Sequence, residues 1–171
     1  MQDILTCAMG LDVHRDIIVA CLVKGAVDAE PEAETRTFST LIPEMQKLRD
    51  WVIESECRNI AMESTGIYWQ PIYEMLESCF DGEISILVVN ARHMKNVPGR
   101  KTDMKDAQWI ATLLRAGLLK GSFIPDKAFR ELRHLTRYRK SVVHDITAQK
   151  NRIDKFLQSS GFRFLSLIHI S

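Results

Sequence analysis

Two apolar, β-branched stretches separated by only two residues constrain this chain more than any other feature. Residues 5–13 are mostly apolar and end in Leu11-Asp12-Val13-His14. Residues 16–24 follow at once, as Asp16-Ile17-Ile18-Val19-Ala20-Cys21-Leu22-Val23-Lys24. Both read as strands, and the short connection at His14-Arg15 makes them a buried hairpin. Whatever follows must build on that antiparallel pair.

The acidic stretch 28–34 reads as a solvated turn, and Thr35 to Ser39 alternates weakly enough for a third, edge strand. Thr40 is placed to cap a helix in which Leu41, Met45, Leu48, Trp51 and Val52 sit at helical spacing. Arg58 to Glu63 reads as a short strand. Ser64-Thr65-Gly66 reads as a turn, and the next helix has Ile67, Ile72, Met75, Leu76 and Phe80 as its core face. Glu83 to Asn90, with the apolar run 84–89, is the clearest strand after the hairpin. Val97-Pro98-Gly99-Arg100-Lys101 is a basic loop with strong breakers. Thr102 is a candidate N-cap for a helix over 103–117 that Gly117 stops. Pro125 opens a long helix over about 126–160. Phe129, Leu132, Leu135, Val142, Ile146, Ile153 and Leu157 mark one face of it, and Arg130, Arg133, Arg137 and Lys140 a second. The order is three strands, helix, strand, helix, strand, helix: a mixed α/β sheet of five strands, with two parallel crossovers joined to an antiparallel meander.

Charge is divided along this order. Residues 1–89 carry 6 basic and 16 acidic side chains, a net −10, whereas residues 90–171 carry 17 and 6, a net +11. The total of +1 hides this division. A basic half is a prior for contact with nucleic acid or another anionic surface. The 46% hydrophobic content suffices for a core. No run of 18 apolar residues and no basic n-region before an apolar stretch occurs, so neither a membrane span nor a signal peptide is expected. Cys7, Cys21, Cys57 and Cys79 are far apart in sequence and form no metal-knuckle spacing, which suits a reduced, cytoplasmic protein.

Four acids stand out on this framework. Asp12 ends the first strand inside an apolar run, and Glu63 ends the fourth. Asp103 and Asp106 lie three apart in the first turn of a helix and share a face. If the first and fourth strands are neighbours, all four carboxylates converge at one end of the sheet. Bare, such a cluster resists ionisation. Hard divalent cations relieve it: Mg²⁺ takes carboxylate, water and phosphate oxygens, and a pair of ions can activate a nucleophile and stabilise a leaving oxygen in phosphoryl transfer. Arg92, Lys95, Arg100, Lys101 and Lys105 flank the last two acids and are suited to hold a phosphate backbone. Simpler readings exist for each feature. Acids in a first helical turn are favoured by the helix dipole alone. Glu63 could be an ordinary strand-end acid and His14 an ordinary turn histidine. Tyr68 and Trp69 could be helix packing rather than base stackers, and a cationic helix face is usually solvated.

Gly10-Leu11-Asp12-Val13-His14, Met62-Glu63-Ser64-Thr65-Gly66 and Lys101-Thr102-Asp103-Met104-Lys105-Asp106-Ala107, in this order, resemble the DEDD transposases of the insertion-sequence "one-ten" group, prokaryotic recombinases. The resemblance runs from about residue 7 to about 164. It implies an RNase H-like (RuvC-like) catalytic domain over 1–121 in which Asp12, Glu63, Asp103 and Asp106 bind Mg²⁺, or Mn²⁺ in its place. It implies that residues 122–164 begin a coiled-coil arm used for homo-oligomerisation. It also implies Mg-dependent DNA cleavage and strand transfer guided by a structured bridge RNA that pairs with target and donor DNA. Family members continue into a second domain carrying a catalytic serine, a motif that neither Ser166 nor Ser171 matches. The expectation is therefore of an N-terminal catalytic fragment that binds Mg²⁺ and structured RNA but does not complete strand exchange alone. Residues 165–171, Leu-Ser-Leu-Ile-His-Ile-Ser, back-translate into a sequencing-library adapter and are expected to be a non-native tail.

Three alternatives compete. A stand-alone metal-dependent nuclease or Holliday-junction resolvase of the same fold needs only the four acids. A non-catalytic fragment would bind RNA and self-associate. A nucleotide-binding ATPase or sugar kinase would want a glycine-rich phosphate loop after the first strand, where His14-Arg15-Asp16 stands instead.

Overall fold

The computed structural model describes residues 4–27, 29–64, 66–80, 82–90 and 106–163. Its elements in chain order are β1 (Cys7–Val13), β2 (Ile17–Lys24), β3 (Glu32–Ser39), α1 (Ile42–Glu54), β4 (Asn59–Glu63), α2 (Trp69–Phe80), β5 (Ser85–Val89), α3 (Asp106–Arg115) and α4 (Lys127–Ser159). The described residues divide into two compact units, one ending at Phe123 and the other starting at Ile124.

In the first unit the strands form one five-stranded sheet in the order β3-β2-β1-β4-β5. β1 is antiparallel to β2, β2 is antiparallel to β3, and β4 lies parallel to β1 and β5. This is the mixed five-stranded arrangement expected from the sequence, with the first and fourth strands adjacent. Parallel neighbours need a crossover connection, and α1 and α2 lie within those connections.

The two faces of the sheet are buried by different helices, and strand alternation sorts the side chains between them. On one face Ala8, Ala61 and Val89 pack with Ile110 and Leu114 of α3. Cys21 and Val23 of β2 pack there with Ala107 and Ala111. On the other, Phe38 meets Trp51 of α1 at 6.1 Å between ring centroids. α1 and α2 run beside one another and bury Met45, Leu48, Trp51, Val52, Ile72 and Leu76. Ile67, expected on the core face of α2, lies before that helix and is exposed.

Several boundaries differ from expectation for local reasons. β3 begins at Glu32, inside the acidic stretch read as a turn. As an edge strand it tolerates charge: Glu32 stands opposite Lys24, and Arg36 takes the Glu34 carboxylate at 2.7 Å while lying 4.4 Å over the Trp51 ring. Thr40 does not cap α1. The N-cap is Leu41 without a side-chain hydrogen bond, Pro43 occupies the first turn, and the Thr40 hydroxyl donates to the Arg15 carbonyl at 2.9 Å. α3 ends as expected: Gly117 has φ +67°, and Leu118 N–H donates to the Leu113 carbonyl, the closing bond of a Schellman turn.

Arg115 ties this unit together. It is 1% exposed. Its Nε donates to the Leu5 carbonyl at 2.9 Å and its Nη2 to the carbonyls of Gly25 and Ala26. Its own carbonyl accepts from the backbone N–H groups of Ile4 and Leu5. The N-terminal segment, the exit of β2 and the end of α3 thus meet at one guanidinium, a cation at a helix C-terminus. Arg115→Met removes these donors and leaves buried carbonyls without partners. It is expected to cost about 3 kcal/mol, read as a lower urea midpoint with an unchanged slope.

In the second unit, Asp126 caps α4 by accepting from the Phe129 N–H at 3.0 Å. Phe129, Leu132, Leu135, Ile146 and Ile153 are exposed along it. Residues 165–171 lie outside the described residues.

Candidate active site

Asp12 and Glu63 reach the same end of the sheet because β1 and β4 are parallel neighbours. Leu11 pairs with Met62, and each acid is the next residue on its strand. Side-chain parity also puts both acids on one face. Asp12 alternates in step with Gly10 and Ala8, and Glu63 in step with Ala61, all on the side that α3 covers.

The small residues on that face set how close α3 comes. A Cβ on Gly10 would lie 2.1 Å from the Ala107 carbonyl oxygen and 2.5 Å from the Ala111 nitrogen. The helix backbone therefore rests directly on β1, one residue after Asp106 opens α3. Asp106 is thus placed at the N-terminus of a helix lying over the strand that ends in Asp12. The signal for this contact is present in the sequence as Ala8-x-Gly10-x-Asp12, Ala61-x-Glu63 and Ala107-x-x-x-Ala111: small residues at strand spacing on two elements and at helix spacing on the third.

Asp12 has a partner that sequence reasoning left as an ordinary turn residue. His14 Nε2 lies 3.1 Å from Asp12 Oδ2. An ionised carboxylate only accepts, so the imidazole N–H donates. The Asp12 side chain is 14% exposed against 56% for His14, so the hydrogen bond joins a largely buried carboxylate to an exposed ring.

Asp103, Arg92, Lys95, Arg100, Lys101 and Lys105 lie outside the described residues. On α4, Arg133, Arg137 and Lys140 are exposed. Arg130 is buried, with Nη1 donating to the Pro125 carbonyl at 2.7 Å. Among the described residues no group of three or more His, Cys, Asp or Glu side chains is gathered closely enough to hold a metal ion. The donor type still suits one. Asp12 and Glu63 end adjacent strands and Asp106 opens the helix packed over them, and carboxylate oxygens are the donor type that hard divalent cations take. Among the described residues no helix is long and apolar enough to cross a membrane.

Comparison with known proteins agrees with these motifs. The sequence model of the DEDD transposases of the IS110 group, described as transposase, matches residues 9–161. No curated protein matches. Among solved structures, RuvC of Thermus thermophilus is similar at 12% identity, over 68% of this chain and 99% of that chain, with a TM-score of 0.47. RuvC of the same organism in complex with a Holliday junction substrate is similar at 11% identity, over 69% of this chain and 100% of that chain, with a TM-score of 0.47.

Proposed function

We propose, from the premise that this chain belongs to the DEDD transposase family of the insertion-sequence "one-ten" group, that residues 1–121 are a divalent-cation-dependent DNA cleavage and strand-transfer domain guided by a structured RNA, acting in the cytoplasm. The observation that carries the reading is the placement of Asp12 and Glu63 side by side on the α3 face, under the helix that Asp106 opens.

Asp12, Glu63, Asp103 and Asp106 would hold Mg²⁺, or Mn²⁺. Bound there, the cation would lower the pKa of a nucleophilic water or hydroxyl and would stabilise charge at a leaving oxygen. The chain's own residues do the rest. The His14 imidazole holds the Asp12 carboxylate in one orientation through its hydrogen bond. Gly10, Ala107 and Ala111 fix the height of α3 above β1, and with it the separation of Asp106 from the two strand acids. Arg92, Lys95, Arg100, Lys101 and Lys105 bind the DNA backbone beside the acids. In residues 122–164, Arg133, Arg137 and Lys140 on α4 contact nucleic-acid phosphates, and Arg130 supports them at the helix start. The exposed apolar residues of α4 support a second role, pairing with another copy as the first part of a coiled-coil arm.

The test is a nuclease and binding assay on the whole chain. With labelled duplex and branched DNA and a folded non-coding RNA, cation-dependent nicking that EDTA abolishes is expected. RNA affinity is expected to fall steeply with salt, as phosphate contacts demand. Nicking that persists in EDTA would exclude the metal site. RNA affinity independent of salt would exclude the cationic contacts.

A further inference from the structure

We propose that Cys7 and Cys57 are a paired modification site, a peroxide-reactive dithiol that closes to a disulfide at the end of the sheet opposite the carboxylates. Cys7 opens β1 and Cys57 lies in the segment between α1 and β4. Far apart in sequence, they are brought together by the same β1–β4 pairing that aligns Asp12 with Glu63. The register Met9 to Ile60, followed two residues back, sets Cys7 beside Arg58, next to Cys57.

Asn59 and Lys24 stand beside the pair. The two thiols are close enough for each to shift the titration of the other. Asn59 bridges them: its Nδ2 donates to the Cys7 carbonyl at 3.3 Å, and its carbonyl accepts from Cys57 Sγ at 3.3 Å. Lys24 stands directly opposite Cys7 on β2, and its Nζ donates to the Ser55 carbonyl at 3.5 Å, so an ammonium is anchored over the site. Cys7 is half-buried, and Cys57, although buried itself, lines a solvent-open cavity of about 420 Å³ beside Glu56, Arg58 and Phe80. The cavity is wide enough to admit a molecule the size of hydrogen peroxide to Cys57, and Cys7 is itself partly exposed.

The electrostatics divide the roles. The neighbouring Cys57 thiol, opposed by burial and aided by the Lys24 ammonium, brings the Cys7 thiol down to about 7. The neighbouring Cys7 and burial push the Cys57 thiol up. Near neutrality a substantial share of Cys7 is thiolate while Cys57 keeps its proton, which favours Cys7 as the attacking sulfur and Cys57 as the resolving one. The Cys7 thiolate attacks hydrogen peroxide: an S–O bond forms, the O–O bond breaks and hydroxide leaves. The sulfur is oxidised by two electrons as the peroxide is reduced. Cys57 Sγ then attacks that sulfur and gives up its proton, the S–O bond breaks, and the oxygen departs as water. Two thiols and one peroxide yield one disulfide and two waters. The bridge would tie the start of β1 to the segment before β4 and enclose β2, β3 and α1 in a covalent loop.

The whole chain, fully reduced and then treated with hydrogen peroxide, tests this. The expected product is monomeric and lighter by about 2 Da. Its four titratable thiols fall to two, a Cys7–Cys57 peptide appears in a non-reducing digest, and the thermal midpoint rises by about 5 °C. Cys57→Ser is expected to leave a sulfenic acid on Cys7 that dimedone traps, and Cys7→Ser to form neither product. Cys21→Ser and Cys79→Ser are expected to close the bridge at the wild-type rate. A thiol count that stays at four, a bridge containing Cys21 or Cys79, or unchanged oxidation in Cys7→Ser would overturn the assignment.

Discussion

Asp12→Asn is expected to weaken Mg²⁺ or Mn²⁺ binding by about tenfold or more, and to lower cation-dependent DNA cleavage by about 100-fold or more. Glu63→Gln should do the same. Each change removes one negative charge and one anionic oxygen while keeping size and shape. The loss is therefore electrostatic, at a place where carboxylates from two strands lie on a common face. Stability should move little, by about 0.5 kcal/mol or less. In Asp12→Asn the introduced amide oxygen would still accept from His14, and relieving repulsion between neighbouring acids offsets what that hydrogen bond loses. Calorimetric titration with the cation and a nicking assay on the same preparations separate the two effects. Wild-type cation affinity in both variants would remove the strand acids from any metal site.

Gly10→Ala is expected to destabilise the first unit by about 3 kcal/mol or more, lowering its thermal midpoint by about 10 °C. The added methyl has nowhere to go. Its nearest neighbours are the Ala107 oxygen at 2.1 Å and the Ala111 nitrogen at 2.5 Å, both helix backbone, so relief requires α3 to lift from the sheet. Lifting also moves Asp106, and cation affinity should fall in this variant although no carboxylate has changed. A wild-type melting curve would show that α3 does not rest on β1 in solution. A lowered midpoint with unchanged cation affinity would show that the position of Asp106 does not matter to the metal.

The contrast between these variants shows how far the sequence reaches. The hairpin could be read from two β-branched runs two residues apart. β4 and β5 could be read from short apolar stretches between turn residues, and α4 from its three- and four-residue steps. The candidate acids were visible as well, because a charge at the end of an apolar strand is rarely unpaired. Less legible were features in which the signal is weak or the partner distant. β3 starts three residues before the alternation suggested, since an edge strand can carry Glu32 and Glu34 into solvent. Thr40 has an N-cap's chemistry, yet a carbonyl on the β1–β2 turn claims its hydroxyl. Arg130 steps with Arg133 and Arg137 in sequence but folds its guanidinium onto Pro125.

The sequence by itself determined the order of the elements, the position of Asp12 and Glu63 at the ends of apolar strands, and the family to which the chain belongs. These follow from local periodicity and from short motifs that need no partner to be read. Only the tertiary structure decided that α3 sits on bare backbone at Gly10, that His14 is hydrogen-bonded to Asp12, that Arg115 closes three segments from inside, and that the β1–β4 pairing sets Cys7 beside the segment that carries Cys57. Each of those joins residues whose proximity is set by strand register and helix packing. One residue of slip in β1 against β4 would turn every side chain of that pairing to the other face, and no single segment carries that information.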